Sequence, residues 1–221
     1  GTIIINTLKK IKKFEYIYIC DEDSLKTRII EERFGNFVKI IKIKELIKNK
    51  NIKHVYLATP PSKNFSLLKD IISANKNILL EKPGFSKLSE FKIIKKLLSK
   101  TKTKIRFGYI YLYNDYVKYL KKLILQKNIG KIKYISFQRQ NFGPIRNDVS
   151  AFLDLATHDL SILRYLLNGK IVPKKIIKHD ILRKNSGDIV FANFESGLTR
   201  IDINVSWLNP EKVRKITIIT D

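Results

Sequence analysis

The first half of the chain alternates short apolar runs with amphipathic stretches, and this pattern constrains the fold more than any other feature. Such alternation is typical of successive βα units, in which helices cover a parallel sheet. We therefore predict a Rossmann-like parallel sheet for residues 1–108, with its first strand expected before residue 1. The predicted strands are 16–20, 37–41, 54–59, 77–80 and 104–108, and the predicted helices are 2–13, 24–34, 62–74 and 87–100, with a short helix near residue 45.

The second half, residues 109–221, has a different texture and is predicted to form a separate domain. It contains two helical stretches, one long alternating strand and several strand-like runs joined by turns at Gly187 and Gly197. This pattern predicts an α+β domain with a mostly antiparallel open sheet, incomplete at its C-terminal end. The predicted helices are 115–126 and 149–167, and the predicted strands are 132–141, 171–182, 188–194, 198–205 and 213–220.

Composition excludes some classes of protein. The chain is 44% hydrophobic and 29% charged, as expected of a globular protein, and no apolar run reaches the roughly 18 residues of a membrane span. The single cysteine, Cys20, fits a reducing compartment, so we expect a cytoplasmic protein. The net charge of +24 is spread along every helix, which favours a solvated lysine surface over nucleic-acid binding. The alternative, a basic nucleic-acid-binding protein, predicts steeply salt-dependent binding.

Two successive predicted strands end in unusual turns. Ala58-Thr59-Pro60-Pro61 follows strand 54–59, and Glu81-Lys82-Pro83 follows strand 77–80. Ligands of open parallel sheets bind at the carboxyl ends of strands, so both turns are candidate cofactor contacts. The proline turn has a structural alternative, because prolines commonly begin helices. In the functional interpretation it presents backbone groups and the Thr59 hydroxyl to a dinucleotide.

The start of the chain has the spacing of a dinucleotide-binding fingerprint. Gly1 opens a predicted helix, and twenty residues later Asp21 directly follows the predicted strand 16–20. An acid at this distance from the helix-opening glycine hydrogen-bonds the adenosine ribose in Rossmann folds. This interpretation favours NAD over NADP, because a carboxylate repels a 2′-phosphate. The alternative is that the acid is only the N-cap of the following helix.

A third motif lies in the predicted helix 149–167, for which Asp148 is the candidate N-cap. Asp154 and His158 are four residues apart, which places them on one face of an α-helix. A lone Asp/His pair is also typical of a surface or capping pair. With three histidines and no ligand cluster, we expect no metal site.

Together these residues resemble the Gfo/Idh/MocA oxidoreductases, the family of glucose-fructose oxidoreductase and inositol dehydrogenase. The proline turn, Glu81-Lys82-Pro83 and Asp154-x-x-x-His158 occur in the family's order, and the resemblance runs from Gly1 to Asp221. Further matches are Gly108-Tyr109, Asn114 ahead of a helix, and Gly130-Lys131-Ile132. The chain departs from the family at Asn64, where many relatives have histidine.

The resemblance implies an NAD(P)-dependent dehydrogenase of sugars or polyols, often oligomeric through the second domain's sheet. His158 would be the general base, Lys82 would act on the reacting hydroxyl beside the nicotinamide, and Asp154 would bind substrate or orient the pair. The implied cofactor-binding residues are Gly1, Asp21, Thr59, Pro60, Glu81 and Lys82. The implied substrate-binding residues are Lys82, Tyr109, Asn114, Arg139, Asp154 and His158.

The substrate is suggested by residues 139–149, which resemble family members that oxidise UDP-N-acetylhexosamines at the third carbon, such as UDP-N-acetylglucosamine 3-dehydrogenase. Arg139 or Arg146 would then pair with the diphosphate. The alternatives are an inositol or free-sugar dehydrogenase of the same family, and a non-catalytic sensor that binds the cofactor. Retention of both Lys82 and His158 argues against the sensor.

Overall fold

The apolar runs of the first half form short parallel strands, as the sequence predicts. A computed structural model describes residues 1–126 and 129–221 of the chain. Strand β1 pairs in parallel with β2, and β3, β4 and β5 form a second sheet in that order, with β3 and β4 parallel. The strands are β1 Ile17–Ile19, β2 Val38–Ile40, β3 His54–Leu57, β4 Asn77–Leu80 and β5 Ile105–Phe107, and the helices are α1 Thr2–Ile11, α2 Ser24–Phe34, α3 Ile43–Lys48, α4 Pro61–Ser73 and α5 Leu88–Leu98.

Local sequence signals explain where α2 begins and ends. The Asp23 carboxylate accepts hydrogen bonds from the backbone N–H groups of Leu25 and Lys26, which is the usual N-cap arrangement. Gly35 follows the last helical residue at φ 55°, a conformation that glycine adopts without steric cost. The sequence left open whether an acid after β1 caps the next helix, and Asp23 is the residue that does so.

Contacts within the chain divide it into two units. Unit 1 comprises Gly1–Ala58, Phe65–Leu80 and Lys92–Arg106, and unit 2 comprises Thr59–Asn64, Glu81–Phe91 and Phe107–Asp221. The two loops that follow β3 and β4 are thus grouped with the second half of the chain. The domain boundary at residue 108 stays a prediction.

Unit 2 is built on one five-stranded sheet in the order β10-β6-β9-β8-β7. Its neighbouring strands are antiparallel except for β6 and β9, which pair in parallel. This agrees with the mostly antiparallel sheet that the sequence predicts. The strands are β6 Ile132–Phe142, β7 Val172–His179, β8 Ile189–Ser196, β9 Thr199–Ser206 and β10 Leu208–Thr220, and the helices are α6 Asp115–Leu125 and α7 Thr157–Leu166.

One face of this sheet packs on the helices and forms the core of unit 2. Alternate residues of β6 and β9, including Phe137 and Ile203, are buried against α7 residues such as Leu163. Trp207, at the end of β9, is fully buried in the same cluster. Burying large apolar side chains stabilises a fold by about 1.5–3 kcal/mol each, so these contacts fix α7 against the sheet.

The predicted helix 149–167 differs from the observed one. Residues Phe152–Ala156 form a π-helical turn that continues directly into α7. Asp148 is not the N-cap: its carboxylate is paired with Arg146, and the Ser150 hydroxyl oxygen accepts the backbone N–H of Leu153 instead. A π turn holds one more residue than an α turn and is frequent at functional sites.

Among the residues that the structure describes, no helix is both long and apolar enough to cross a membrane.

Candidate active site

An ion pair joins the loop after β4 to the π-helical turn in unit 2. The Lys82 ammonium donates to Asp154 at two atoms, the carboxylate Oδ1 and the backbone oxygen, each at 3.0 Å. The side chains are 20% and 11% exposed, so solvent screens the pair only in part. Two residues 72 positions apart, both predicted to be catalytic, are thus in direct contact.

The second oxygen of Asp154 is held by the chain's single tryptophan. Trp207 Nε1 donates to Asp154 Oδ2 at 3.3 Å, and the indole is fully buried. Arg146 Nη1 also lies 3.6 Å from Asp154 Oδ1. Reasoning from sequence missed Trp207, although a lone tryptophan at the end of a core strand was an available signal. Three cationic or N–H groups therefore fix this carboxylate in one orientation.

Arg146 is the partly exposed arginine of this group. Its Nε and Nη2 donate to the two oxygens of Asp148 at 2.9 and 2.8 Å, and the hydrogen bonds from Arg146 lower the pKa of Asp148. Its side chain is 30% exposed, and the Arg183 guanidinium donates to its backbone oxygen at 2.8 Å. A fixed and accessible guanidinium suits an anionic ligand group.

His158 is buried, and the imidazole ring packs on Tyr111. The ring centroids are 4.9 Å apart with an interplanar angle of 70°, an edge-to-face contact. Burial, followed by the charges of Lys82 and Arg139, lowers the pKa of His158 to about 4, while Asp154 opposes the shift. The imidazole is therefore neutral at pH 7, the state in which it accepts a proton.

Asp154 and His158 do not form the stacked pair expected of an uninterrupted α-helix. The carboxylate of Asp154 bonds to Lys82 and Trp207, and His158 Nδ1 has no hydrogen-bond partner among the residues described. The physical reason is the π turn, which changes the angular spacing between these positions. The role of both residues in the site stays a prediction, and the individual contacts of each were not predicted from sequence.

Arg139, a residue of β6, forms a buried ion pair with Asp159, the residue after His158. Arg139 Nε and Nη2 donate to the Asp159 carboxylate at 2.6–3.0 Å, and Nη1 donates to the Tyr111 hydroxyl at 3.1 Å. The two charged residues are 6% and 2% exposed. The substrate contact implied for Arg139 stays a prediction that this geometry does not favour, because its donors already face Asp159 and Tyr111. Asp159 was not identified from sequence.

The proline turn is tied to the loop that carries Lys82. The Thr59 hydroxyl donates to Asn64 Oδ1 at 2.6 Å, and Asn64 Nδ2 donates to the Gly84 backbone oxygen at 2.9 Å. Asn64 is 1% exposed. The residue at which this chain departs from the family thus bridges the two strand-end loops. Pro61 is the first residue of α4, so the structural role of a helix-starting proline falls to Pro61, and Pro60 precedes the helix.

Glu81 is packed against a glycine. A Cβ added at Gly108 would lie 3.2–3.3 Å from the Glu81 carboxylate, closer than ordinary contact. Glu81 Oε2 also accepts the backbone N–H of Lys82 at 3.2 Å. Tyr109 follows Gly108, stacks on Phe107 at 5.5 Å, and has a pKa raised by burial. Gly108 therefore leaves room for the carboxylate.

The other predicted site residues have local structural contacts. Asn114 Oδ1 accepts the backbone N–H groups of Tyr116 and Val117 as the N-cap of α6, which leaves its amide nitrogen as the group for a substrate contact. In unit 1, the Gly1 backbone oxygen accepts the first helical N–H bonds of α1. Asp21 is exposed directly beyond β1, and its Oδ1 accepts the backbone N–H of Asp23 at 3.0 Å.

Each unit, taken by itself, contains groups whose chemistry suits one part of a nicotinamide dinucleotide. Asp21 offers an exposed carboxylate at a strand end, suited to ribose hydroxyls. In unit 2, the Glu81 carboxylate and the Thr59 turn follow strands β4 and β3, which are paired in register at Leu57 and Leu80. Within the described residues, no cluster of three or more His, Cys, Asp or Glu side chains could hold a metal ion.

The comparisons with known proteins concern the family of the first half of the chain. Residues 2–109 match the model of the oxidoreductase family with an NAD-binding Rossmann fold, the Gfo/Idh/MocA family. The first half of the chain thus has the sequence of this family's NAD-binding domain.

Relatives and solved structures agree with this assignment. The chain is 26% identical over 165 residues to scyllo-inositol 2-dehydrogenase (NAD(+)) of Bacillus subtilis (strain 168), covering 72% of the chain but only 48% of that relative. It resembles the WlbA dehydrogenase of Chromobacterium violaceum in complex with NADH and UDP-GlcNAcA, with a TM-score of 0.87, 19% identity and coverage of 100% and 69%. It also resembles scyllo-inositol dehydrogenase of Lactobacillus casei with bound NAD(H) and scyllo-inositol, with a TM-score of 0.79, 15% identity and coverage of 99% and 73%.

These findings confirm the predicted fold class and the resemblance to the family, and the matched domain is an NAD-binding one. At 15–19% identity the structural likeness concerns the fold alone. One structural neighbour carries a nucleotide sugar and the other an inositol, so they leave the substrate open.

Proposed function

We propose that the whole protein is an NAD-dependent dehydrogenase that oxidises a hydroxyl-bearing carbon of a sugar or nucleotide sugar. The observation that carries the proposal is the pairing of the Lys82 ammonium with Asp154, four residues before a neutral, buried His158. A neutral base and a fixed cation are the two groups that alcohol oxidation requires, since the hydroxyl must lose a proton as its carbon loses a hydride.

In the proposed reaction, the His158 imidazole takes the proton of the substrate hydroxyl. A base is effective when it is unprotonated at the working pH, and the lowered pKa of His158 meets that condition. Its burial also keeps bulk water from competing for the ring.

Lys82 stabilises the negative charge that develops on the substrate oxygen. Its ammonium is held by two acceptors on Asp154, so it is oriented before substrate binds. Asp154, fixed by Trp207 and Lys82, is a positioning residue in this scheme and a candidate acceptor for a neighbouring sugar hydroxyl.

Bound NAD supplies the acceptor for the hydride. The residues proposed to hold it are Gly1 and Asp21 for the adenosine side, and Thr59, Pro60, Glu81 and Lys82 for the nicotinamide side. The placement of Asp21 favours NAD over NADP, because a second negative charge would be repelled.

We propose a UDP-N-acetylhexosamine as the substrate, with oxidation at the third carbon of the sugar. Support comes from Arg146, whose partly exposed guanidinium is fixed by Asp148 and lies 3.6 Å from Asp154 Oδ1. Tyr109 and Asn114 remain proposed substrate contacts, whereas Arg139 does not, because its donors already face Asp159 and Tyr111. An inositol is the second candidate, because the curated relative is an inositol dehydrogenase.

We also propose a cytoplasmic homo-oligomer that associates through the open face of the unit 2 sheet. All eight residues of β7 are exposed, and Ile177 and Phe191 form a cross-strand pair on the face opposite the core. Sedimentation of the whole protein tests this: the Phe191→Lys variant is expected to dissociate, and an unchanged oligomer would reject this surface.

The test of the activity compares UDP-N-acetylhexosamines with inositols and free hexoses, with NAD and NADP in parallel. NADH formation with a UDP-N-acetylhexosamine, lost in His158→Gln, is the expected result. Turnover of inositols alone would support the proposed dehydrogenase reaction and reject the UDP-N-acetylhexosamine as the substrate. Turnover unaffected by His158→Gln would reject the proposed mechanism.

A further inference from the structure

The His158 ring is oriented without a hydrogen bond to its buried nitrogen. In a catalytic triad, a carboxylate fixes the imidazole through the ring nitrogen that does not react. Here Nδ1 is buried and has no partner among residues 1–126 and 129–221, and the preceding carboxylate, Asp154, is bound to Lys82 and Trp207. The ring must therefore be held by packing, and the aromatic contact that the structure shows is with Tyr111.

Tyr111 is itself held in place. It lies in the 3-10 turn Ile110–Tyr113, its hydroxyl accepts a hydrogen bond from Arg139, and the Arg139 guanidinium lies 4.6 Å from the centre of its ring. Both contacts restrict the phenol, one at its tip and the other at its face. Tyr111 cannot rotate away from His158 without breaking them.

Arg139, which holds Tyr111, is in turn bound to α7, the helix that contains His158. Arg139 is bound at two nitrogens by Asp159, the residue directly after His158 in α7. Breaking such a buried ion pair leaves an uncompensated buried charge, so Arg139 and Asp159 stay together. His158, Tyr111, Arg139 and Asp159 thus form a closed circuit of contacts on β6, α7 and the turn before α6.

We propose that Tyr111 is the positioning residue that orients His158 for proton transfer, with the Arg139–Asp159 pair as its support. The inference rests on the proposed function, in which His158 is the base. Edge-to-face packing on a fixed phenol here does the work that a carboxylate hydrogen bond does in a triad. Tyr111 contacts neither the reacting hydroxyl nor the hydride in this scheme.

The charges around His158 determine what loss of Tyr111 does to its titration. Lys82 from the loop after β4, Arg139 from β6 and Arg214 from β10 disfavour the protonated ring, and Asp154 from the π turn favours it. Burial is the largest cause of the low pKa. A smaller residue at position 111 admits water, so the pKa of His158 rises toward its ordinary value of about 6.5.

The experiment compares Tyr111→Leu with Tyr111→Phe in the whole protein, and uses Tyr116→Leu as the matched control because Tyr116 is 85% exposed. General acid–base catalysis contributes about 10²–10⁴-fold, so the Leu variant is expected to lose about tenfold or more in kcat. Its KM should stay within about threefold, and the acid limb of kcat/KM should move to higher pH. The Phe variant keeps the ring edge and should retain kcat within about threefold.

A second measurement does not depend on turnover. The chain has three histidines, so the ring resonances of His158 can be assigned by comparison with His158→Gln. They are expected to shift in Tyr111→Leu, with a raised titration midpoint, and to be nearly unchanged in Tyr111→Phe and Tyr116→Leu.

The outcomes separate the two claims. If Tyr111→Leu is folded and retains both kcat and the His158 resonances, the positioning role is wrong while the dehydrogenase proposal stands. If the Leu variant does not fold, Tyr111→Phe decides: a loss of about tenfold or more in kcat in this variant, which keeps the ring, would overturn the role of ring packing. If His158→Gln itself retains turnover, the proposed function fails first.

Discussion

At the scale of single residues, the account depends on how one carboxylate and one imidazole are used. Asp154 accepts hydrogen bonds from Lys82 and Trp207, which fixes the ammonium without a hydrogen bond to the His158 imidazole. Burial and the neighbouring cations lower the pKa of His158, so its imidazole is neutral at pH 7 and can accept a proton. The sequence identified Lys82, Asp154 and His158 as residue types suited to this chemistry, but the contacts between them required the structure.

Lys82→Met is expected to lower kcat by about 10²–10³-fold, because it removes a positioned donor that stabilises the developing oxyanion. NAD affinity should change much less than kcat, since the ammonium donates to two acceptors on Asp154. Steady-state kinetics and NAD titration measure both. Lys87→Met, an exposed lysine five residues later, is the control and should behave as wild type. Equal turnover in the two variants would remove Lys82 from the mechanism.

The pH dependence follows from the lowered pKa of His158. The base must be unprotonated, so kcat/KM for oxidation should be constant from pH 8 to about 5.5 and fall as the pH drops through about 4. An ordinary histidine would give the fall near pH 6.5. Initial rates in buffers of constant ionic strength, with circular dichroism to confirm folding at each pH, provide the measurement. A midpoint near 6.5 contradicts the buried, cation-flanked environment described for the ring.

At the scale of elements, the sequence predicted most strands and helices because their apolar periodicity is regular. Strand β4 and helix α2 have the predicted bounds, and the predicted alternation of residues 132–141 appears as the alternating burial of β6. The π turn was not predictable, because its residues Phe152–Ala156 have the same apolar character as a continuous α-helix. The bridge through Asn64 was not predictable either, since it joins residues 20 positions apart.

Asn64→Ala tests whether that bridge holds the two loops together. The substitution leaves the Thr59 hydroxyl and the Gly84 backbone oxygen without their partner in a buried site. Unpaired buried polar groups cost about 1–3 kcal/mol, so urea denaturation should show a loss of that size. The control is Asn36→Ala, at an exposed asparagine, with an expected change within about 0.5 kcal/mol. Equal stability of the two variants would show that the bridge contributes nothing.

Gly108→Ala tests the placement of Glu81. The added Cβ would come within 3.2–3.3 Å of the carboxylate, which must move. If Glu81 contacts the cofactor, NAD affinity should fall several-fold, as in Glu81→Ala. The control is the double variant that combines Gly108→Ala with Glu81→Ala. If Gly108 acts only through Glu81, the losses of NAD affinity in the two single variants do not add in the double variant. Additive losses would show that Gly108 affects NAD binding by another route.

At the scale of the whole molecule, the fold class was predictable and the substrate was not. The alternation of strands and helices, followed by a run of strands, specifies a parallel sheet and a mostly antiparallel one. Substrate choice depends on how side chains such as Arg146 and Asn114 meet a particular sugar, and apolar periodicity carries no information about that. The net charge of +24 is likewise a property of the surface as a whole and does not define a site.

The most direct test of the central claim is NADH formation from a UDP-N-acetylhexosamine by the whole protein, with wild type, His158→Gln and Lys82→Met compared at pH 7. The account predicts turnover by wild type and a loss of about 10²-fold or more in each variant. NAD binding should be retained in all three proteins. Turnover that survives both substitutions would contradict the assignment of these two residues as the base and the oxyanion-stabilising cation.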